Sequence, residues 1–130
     1  MDNSEVSAEE PITRFARHSS QYSQVADRVY HSLFLPPNSL RLSVFRISDR
    51  SKAEVWHVGD TVVGRDRFTP LARADLLASD IRNANLGIEA EPTPHPRHAD
   101  IVGWPAEKAE RIDAAKTLAT RAKLVLRDGS

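Results

Sequence analysis

The sequence predicts an α+β domain, and three observations carry that prediction. Leu40 to Ile47 alternates as a half-buried strand does, with Leu40, Leu42, Val44 and Ile47 apolar around Arg41, Ser43 and Arg46. Near the C-terminus Ile112, Ala115, Leu118 and Ala122 recur at three- and four-residue intervals, the spacing of one helix face. Between these two stretches lie short segments that alternate like strands and small helices, each broken by Gly, Pro or Asn. The expected architecture is a small mixed or antiparallel sheet, with a C-terminal amphipathic helix packed on one face and short helices at the edges.

Taken in order, residues 1–10 carry four acids and no base, which predicts a disordered acidic tail ahead of a single α+β domain over 11–130. Ile12, Phe15 and Ala16 are spaced for one helical turn, and His18 to Ser23 is too poor in helix formers to extend it. Tyr30 to Leu35 is an apolar run ended by Pro36-Pro37-Asn38, so it can pair with Leu40–Ile47 as a hairpin. Ser51 and Glu54 spell a capping box that opens a short helix, Lys52 to Val58, with Gly59 where a helix terminates.

Thr61 to Val63 reads as a short strand, Gly64 to Arg67 as a charged loop and Leu71 to Asp75 as extended chain. A second helix, Ala78 to Asn85, is stopped by Gly87, and Ile88 to Glu91 follows as an edge strand. Pro105 suits the first turn of the last helix and Glu107 complements its dipole, predicting a helix from Pro105 to Lys123. Leu124 to Leu126 either extends that helix or adds a final edge strand.

Composition narrows the function classes. Eighteen basic and eighteen acidic side chains balance to zero, which argues against a general nucleic-acid coat or an electrostatic membrane binder and permits self-association, so a homo-oligomer is open. With no cysteine there is no disulfide, thiolate metal site or cysteine nucleophile. The N-terminal residues lack the basic and apolar regions of a signal peptide, and no apolar run reaches the ~20 residues of a membrane span, so a soluble cytoplasmic protein is expected. The phosphate-binding, dinucleotide, metalloprotease and hydrolase signatures are all missing.

Candidate chemistry concentrates in Pro92 to Pro105, which holds four of the eight prolines, two of the five histidines and one of the two tryptophans. Proline removes backbone donors and extends the residue before it, so this stretch is expected to be a rigid connector gathering His95, Arg97, His98 and Asp100. His95-x-x-His98-x-Asp100 has the donors of a metal site but neither helical spacing nor an outlying third ligand, and no metal or cofactor is expected. As acid–base groups, His95, His98 and Arg97 would suit metal-independent cleavage of a phosphodiester or nucleotide, with His31, His57, Arg41 and Arg46 as distant members.

The leading expectation is a binding or accessory protein that engages a protein partner through this segment, with Trp104 and Arg97 as contacts. A third reading draws on residues 11–50, where six arginines face two aspartates and Arg14, Arg17, Tyr22, Arg41 and Arg46 could meet a phosphate or a nucleic acid.

Overall fold

A computed structural model describes residues 6–62, 69–93 and 95–127. Among them, eight strands are β1 (Pro11–Phe15), β2 (Tyr22–Ser23), β3 (Arg28–Val29), β4 (Leu42–Arg46), β5 (Ala72–Leu77), β6 (Gly87–Ala90), β7 (His98–Val102) and β8 (Lys123–Leu126). Three helices, α1 (Lys52–Val62), α2 (Ala78–Asn83) and α3 (Lys108–Arg121), and two 3-10 turns, Ser19–Gln21 and His31–Phe34, complete the described elements. Six strands build one antiparallel sheet in the order β6-β7-β4-β1-β5-β8, while β2 and β3 form a separate ribbon. The α+β class and the C-terminal helix are as the sequence predicts.

Period-two alternation divides the sheet into two unequal faces. On one, Ile12 stands beside Leu76, and Leu42, Ile101 and Ile88 lie in a row across three strands. Leu33 and Phe34 of the second 3-10 turn, Ile81 of α2, and Ala115 and Leu118 of α3 close over this face to make the main core. Each large side chain fully buried there stabilises the fold by roughly 1.5–3 kcal/mol relative to exposure. The opposite face carries a smaller aromatic core, Phe15, Phe45, Val55 and Trp56, under α1. Trp56 is flanked by the guanidinium groups of Arg73 and Arg127, at 4.9 and 5.2 Å from its ring. Among the described residues, Trp56 Nε1 and Arg73 Nη1 are the buried side-chain donors without a partner.

Several local expectations are corrected. Ile12 to Ala16 is no helical turn: β1 sits inside the sheet between β4 and β5, because the alternate residues Ile12 and Arg14 belong to one face. Tyr30 to Leu35 does not pair with β4. It coils into a 3-10 turn that buries Leu33 and Phe34, and β4 pairs with β1 and β7 instead. The capping box forms as predicted, with the Glu54 amide donating to Ser51 Oγ at 3.2 Å and the Ser51 amide donating to Glu54 Oε1 at 3.1 Å. However, α1 runs past Gly59 to Val62, so Thr61 and Val62 are helical; Val63 and the Gly64–Arg67 loop lie outside the described residues. Gly59 is a point of contact: a Cβ there would lie 2.7 Å from Phe15 Cε1. The last helix begins at Lys108, three residues after Pro105, and Lys123–Leu126 is an edge strand.

The acidic tail is also corrected over the residues in view. Val6 is buried in the main core, its carbonyl accepts from Arg82, and the Glu10 carboxylate pairs with Arg46 through two hydrogen bonds. A carboxylate so placed gains a charged partner by packing, which composition alone did not reveal. The first five residues of that predicted tail lie outside the described residues.

Candidate functional site

One group of polar side chains on the second face lies at its β6-β7-β4 end. Cross-strand register sets Glu89, Asp100 and Ser43 side by side across three strands, with His98 and Phe45 as the neighbouring pair. Arg41, just before β4, reaches over this row: its Nε donates to Asp100 at 3.0 Å and its Nη2 to Glu89 at 2.9 Å. The hydrogen bonds to Glu89 and then Asp100 raise the Arg41 pKa above its ordinary value. The proline segment is therefore only half a connector. Its second part is strand β7, interior to the sheet, and only 91–97 projects as a loop, of which Pro94 lies outside the described residues.

That loop leans back over Phe45. His95 meets the Phe45 ring edge-on at 5.9 Å between centroids, and His98 meets it at 5.6 Å. Between the loop, the Pro36-Pro37 turn and β4 opens a cleft of about 440 Å³. Its polar lining is Arg14, Arg17, Arg41, Ser43, His95 and His98, and its apolar lining includes Phe15, Leu35, Leu42 and Phe45. Three separate stretches of chain thus supply three arginines and two histidines to one cavity.

Local hydrogen bonds fix what each group offers. Arg14 Nε donates to the Leu33 carbonyl at 2.6 Å and Nη1 to the Ser43 carbonyl at 2.7 Å, which spends two of its five N–H donors. Burial first, and the Arg17 charge second, push the Arg14 pKa down to about 10, so it stays protonated at neutral pH with its charge poorly solvated. Gln21 Oε1 accepts from the amides of Arg17 and His18 and so holds the backbone that presents Arg17 at the rim.

His95 Nδ1 accepts the Arg97 amide proton at 3.0 Å, so the neutral ring carries its proton on Nε2. Burial, then the charges of His98 and Arg97, lower the His95 pKa below the ordinary imidazole value and keep it neutral at pH 7. His98 has the opposite arrangement. Its Nδ1 lies 2.9 Å from the Glu91 carbonyl, which can only accept, so the proton is assigned to Nδ1 and Nε2 is the lone-pair nitrogen. That Nε2 stands 3.0 Å from Ser43 Oγ and 3.3 Å from Asp100 Oδ1. One imidazole is set to donate and the other to accept.

Of the residues singled out in the sequence, His95, His98, Arg14, Arg17 and Arg41 reach this cleft. Arg97 faces a second groove, of about 410 Å³, against Arg50, His57 and Val58 of the α1 region. His31 lies elsewhere, in a groove beside α3 with Lys116. Arg46 is bound to Glu10, and Tyr22 is half-buried against the main core. Trp104 is 7% exposed and its indole N–H donates to the Ile101 carbonyl at 3.0 Å, so it anchors the core. Gly103 before it takes φ of 81°, a conformation that side chains disfavour. The six arginines of 11–50 do not form one face: three enter the cleft, while Arg46 and Arg50 pair with Glu10 and Glu54 and Arg28 stacks on Tyr30.

Ser43 was not recognisable as a site residue. Ser43 is an outward position of a strand, and its partner His98 lies 55 residues away. Among the described residues, no three or more His, Asp or Glu side chains are grouped to hold a metal ion, and no helix is long and apolar enough to cross a membrane. The sequence matches no family model and no curated protein, and the fold matches no solved structure.

Proposed function

We propose that this chain binds a small phosphorylated ligand in the cleft between the proline loop and the Pro36-Pro37 turn, and acts on its phosphoester. The carrying observation is the convergence of Arg14, Arg17, Arg41, His95 and His98 on one cavity from distant parts of the chain. Arginine forks match phosphate oxygens bidentately, and a poorly solvated cation such as Arg14 is relieved by an incoming anion. The Nε2–H of His95 supplies a neutral donor beside them. Phe15, Leu35 and Phe45 give an apolar wall for the remainder of the ligand, as in a nucleotide or a phosphodiester.

Isothermal titration with a nucleoside monophosphate, the uncharged nucleoside and inorganic phosphate tests this reading. The monophosphate should bind, the nucleoside should bind at least ~10-fold more weakly, and Arg17→Ala should weaken the monophosphate by ~1.5–3 kcal/mol, as loss of a charged hydrogen bond does. Equal affinity for nucleoside and monophosphate would overturn it.

A second reading keeps the protein partner. The groove lined by Pro96, Arg97, Ala53 and Val58 is mostly apolar and flanks the same loop. With Trp104 in the core, Arg97 and Pro96 are its contacts, and Arg97→Ala would weaken a partner without touching phosphate binding.

A further inference from the structure

We infer that Ser43 is a nucleophile, activated by His98, that takes a phosphoryl group from a phosphoester in the cleft. The inference rests on the phosphoester reading above and adds the covalent step. Ser43 stands on β4 and lines the cleft, and its hydroxyl lies 3.0 Å from His98 Nε2. A serine hydroxyl at its ordinary pKa is a weak nucleophile and needs a base within hydrogen-bond reach that is itself oriented by a third group. Here the Glu91 carbonyl, 2.9 Å from Nδ1, holds the ring in the tautomer whose Nε2 faces the hydroxyl.

Beside Ser43, on the same side of the ring, Asp100 is 5% exposed and its Oδ1 lies 3.3 Å from the same nitrogen. Its carboxylate neutralises the imidazolium once His98 takes a proton. Arg41 in turn fixes Asp100 through its Nε at 3.0 Å. The serine, imidazole and carboxylate come from adjacent positions of two paired strands, since Ser43 is opposite Asp100 and His98 precedes it by two on the same face. Only the Glu91 carbonyl that orients the ring belongs to the loop.

The step balances without a redox partner. The Ser43 oxygen attacks phosphorus, its proton passes to His98 Nε2, and the P–O bond to the leaving alcohol breaks while that oxygen receives the proton. Water then attacks the phosphoserine, giving its proton to His98, and the Ser43 oxygen leaves and regains it. Arg14, Arg17 and Arg41 line the same cavity, where the phosphoryl oxygens accumulate negative charge.

A fluorophosphonate probe, which phosphonylates an activated serine with loss of fluoride, tests the assignment on the full chain. Intact-mass and peptide mapping should find one adduct, on Ser43. His98→Gln should slow labelling by about 100-fold or more, the contribution of a general base, and Ser43→Ala should abolish it. Lys116→Ala, on the far groove, should label at the wild-type rate; circular dichroism on each variant establishes that it is folded. Absence of the adduct, or equal labelling of His98→Gln, overturns the inference. Wild-type titration with the nucleoside monophosphate separates the two failures: binding without labelling removes the nucleophile but leaves the ligand site, and neither removes both.

Discussion

Replacing Gly59 by alanine sets two effects of known size against each other. In the middle of a helix the substitution should stabilise by up to ~1 kcal/mol, because glycine loses more backbone freedom on folding. In this protein the new methyl would arrive 2.7, 2.9 and 3.0 Å from three carbons of the Phe15 ring. Phe15 cannot step aside cheaply. It is 3% exposed and its ring packs against Phe45 at 5.9 Å and Trp56 at 6.1 Å between centroids. Overpacking of a core costs ~1–3 kcal/mol, and contacts this close belong at the upper end, so the net effect should be a loss of about 1–2 kcal/mol, read as a Tm fall of roughly 5 °C. The partner is identified by a double-mutant cycle: in a Phe15→Leu background the same Gly59→Ala change should become neutral or stabilising. A wild-type Tm for Gly59→Ala, or the same loss in both backgrounds, would refute the reasoning. Since Phe15 also lines the cleft, the single variant should weaken ligand binding as well.

Three further outcomes are expected. Trp104→Ala should cost ~3–5 kcal/mol in chemical denaturation, because a buried indole is lost from the core rather than a contact from the surface. Glu10→Ala should lower stability by ~1.5–3 kcal/mol by removing the two hydrogen bonds that hold Arg46, and deletion of residues 1–10 should lose at least as much. By NMR, the His95 ring should titrate below the ordinary imidazole value of about 6.5, and His98→Gln should move it upward. Because the folded pKa is depressed, the stability that neutral His95 contributes is present above the unfolded pKa and is lost as pH falls through the folded one.

What could be read from the chain alone was local. The strand at Leu42–Arg46 announces itself by alternation, the start of α1 by Ser51 and Glu54, and α3 by its alanine-spaced stripe. Each of these signals lies within a dozen residues. Errors arose where a distant partner decided the outcome: Ile12 and Phe15 fit a helical turn in isolation, yet sheet pairing on both sides makes them strand. Gly59 reads as a stop until Phe15 packs against it. The site divides in the same way. Histidines crowded between prolines point to His95 and His98, and the arginines of 11–50 include Arg14 and Arg17, whereas Ser43 and the Glu91 carbonyl acquire their roles only when β4 and β7 are laid side by side. Trp104 shows the converse, since a tryptophan between Gly103 and Pro105 can be a surface anchor or a core one, and only burial separates the two.

Whether one cleft takes a phosphorylated ligand through both histidines and the three arginines is read most directly by NMR shift mapping. A uniformly labelled chain would be titrated with a nucleoside monophosphate while backbone amides, arginine Nε–H groups and histidine rings are followed. The largest changes should fall together on residues 14–17, 35–37, 41–45 and 95–98, with the Arg14, Arg17 and Arg41 side chains and both imidazoles among them. Changes confined to the groove beside α3, around His31 and Lys116, would contradict the assignment, as would their absence at millimolar ligand.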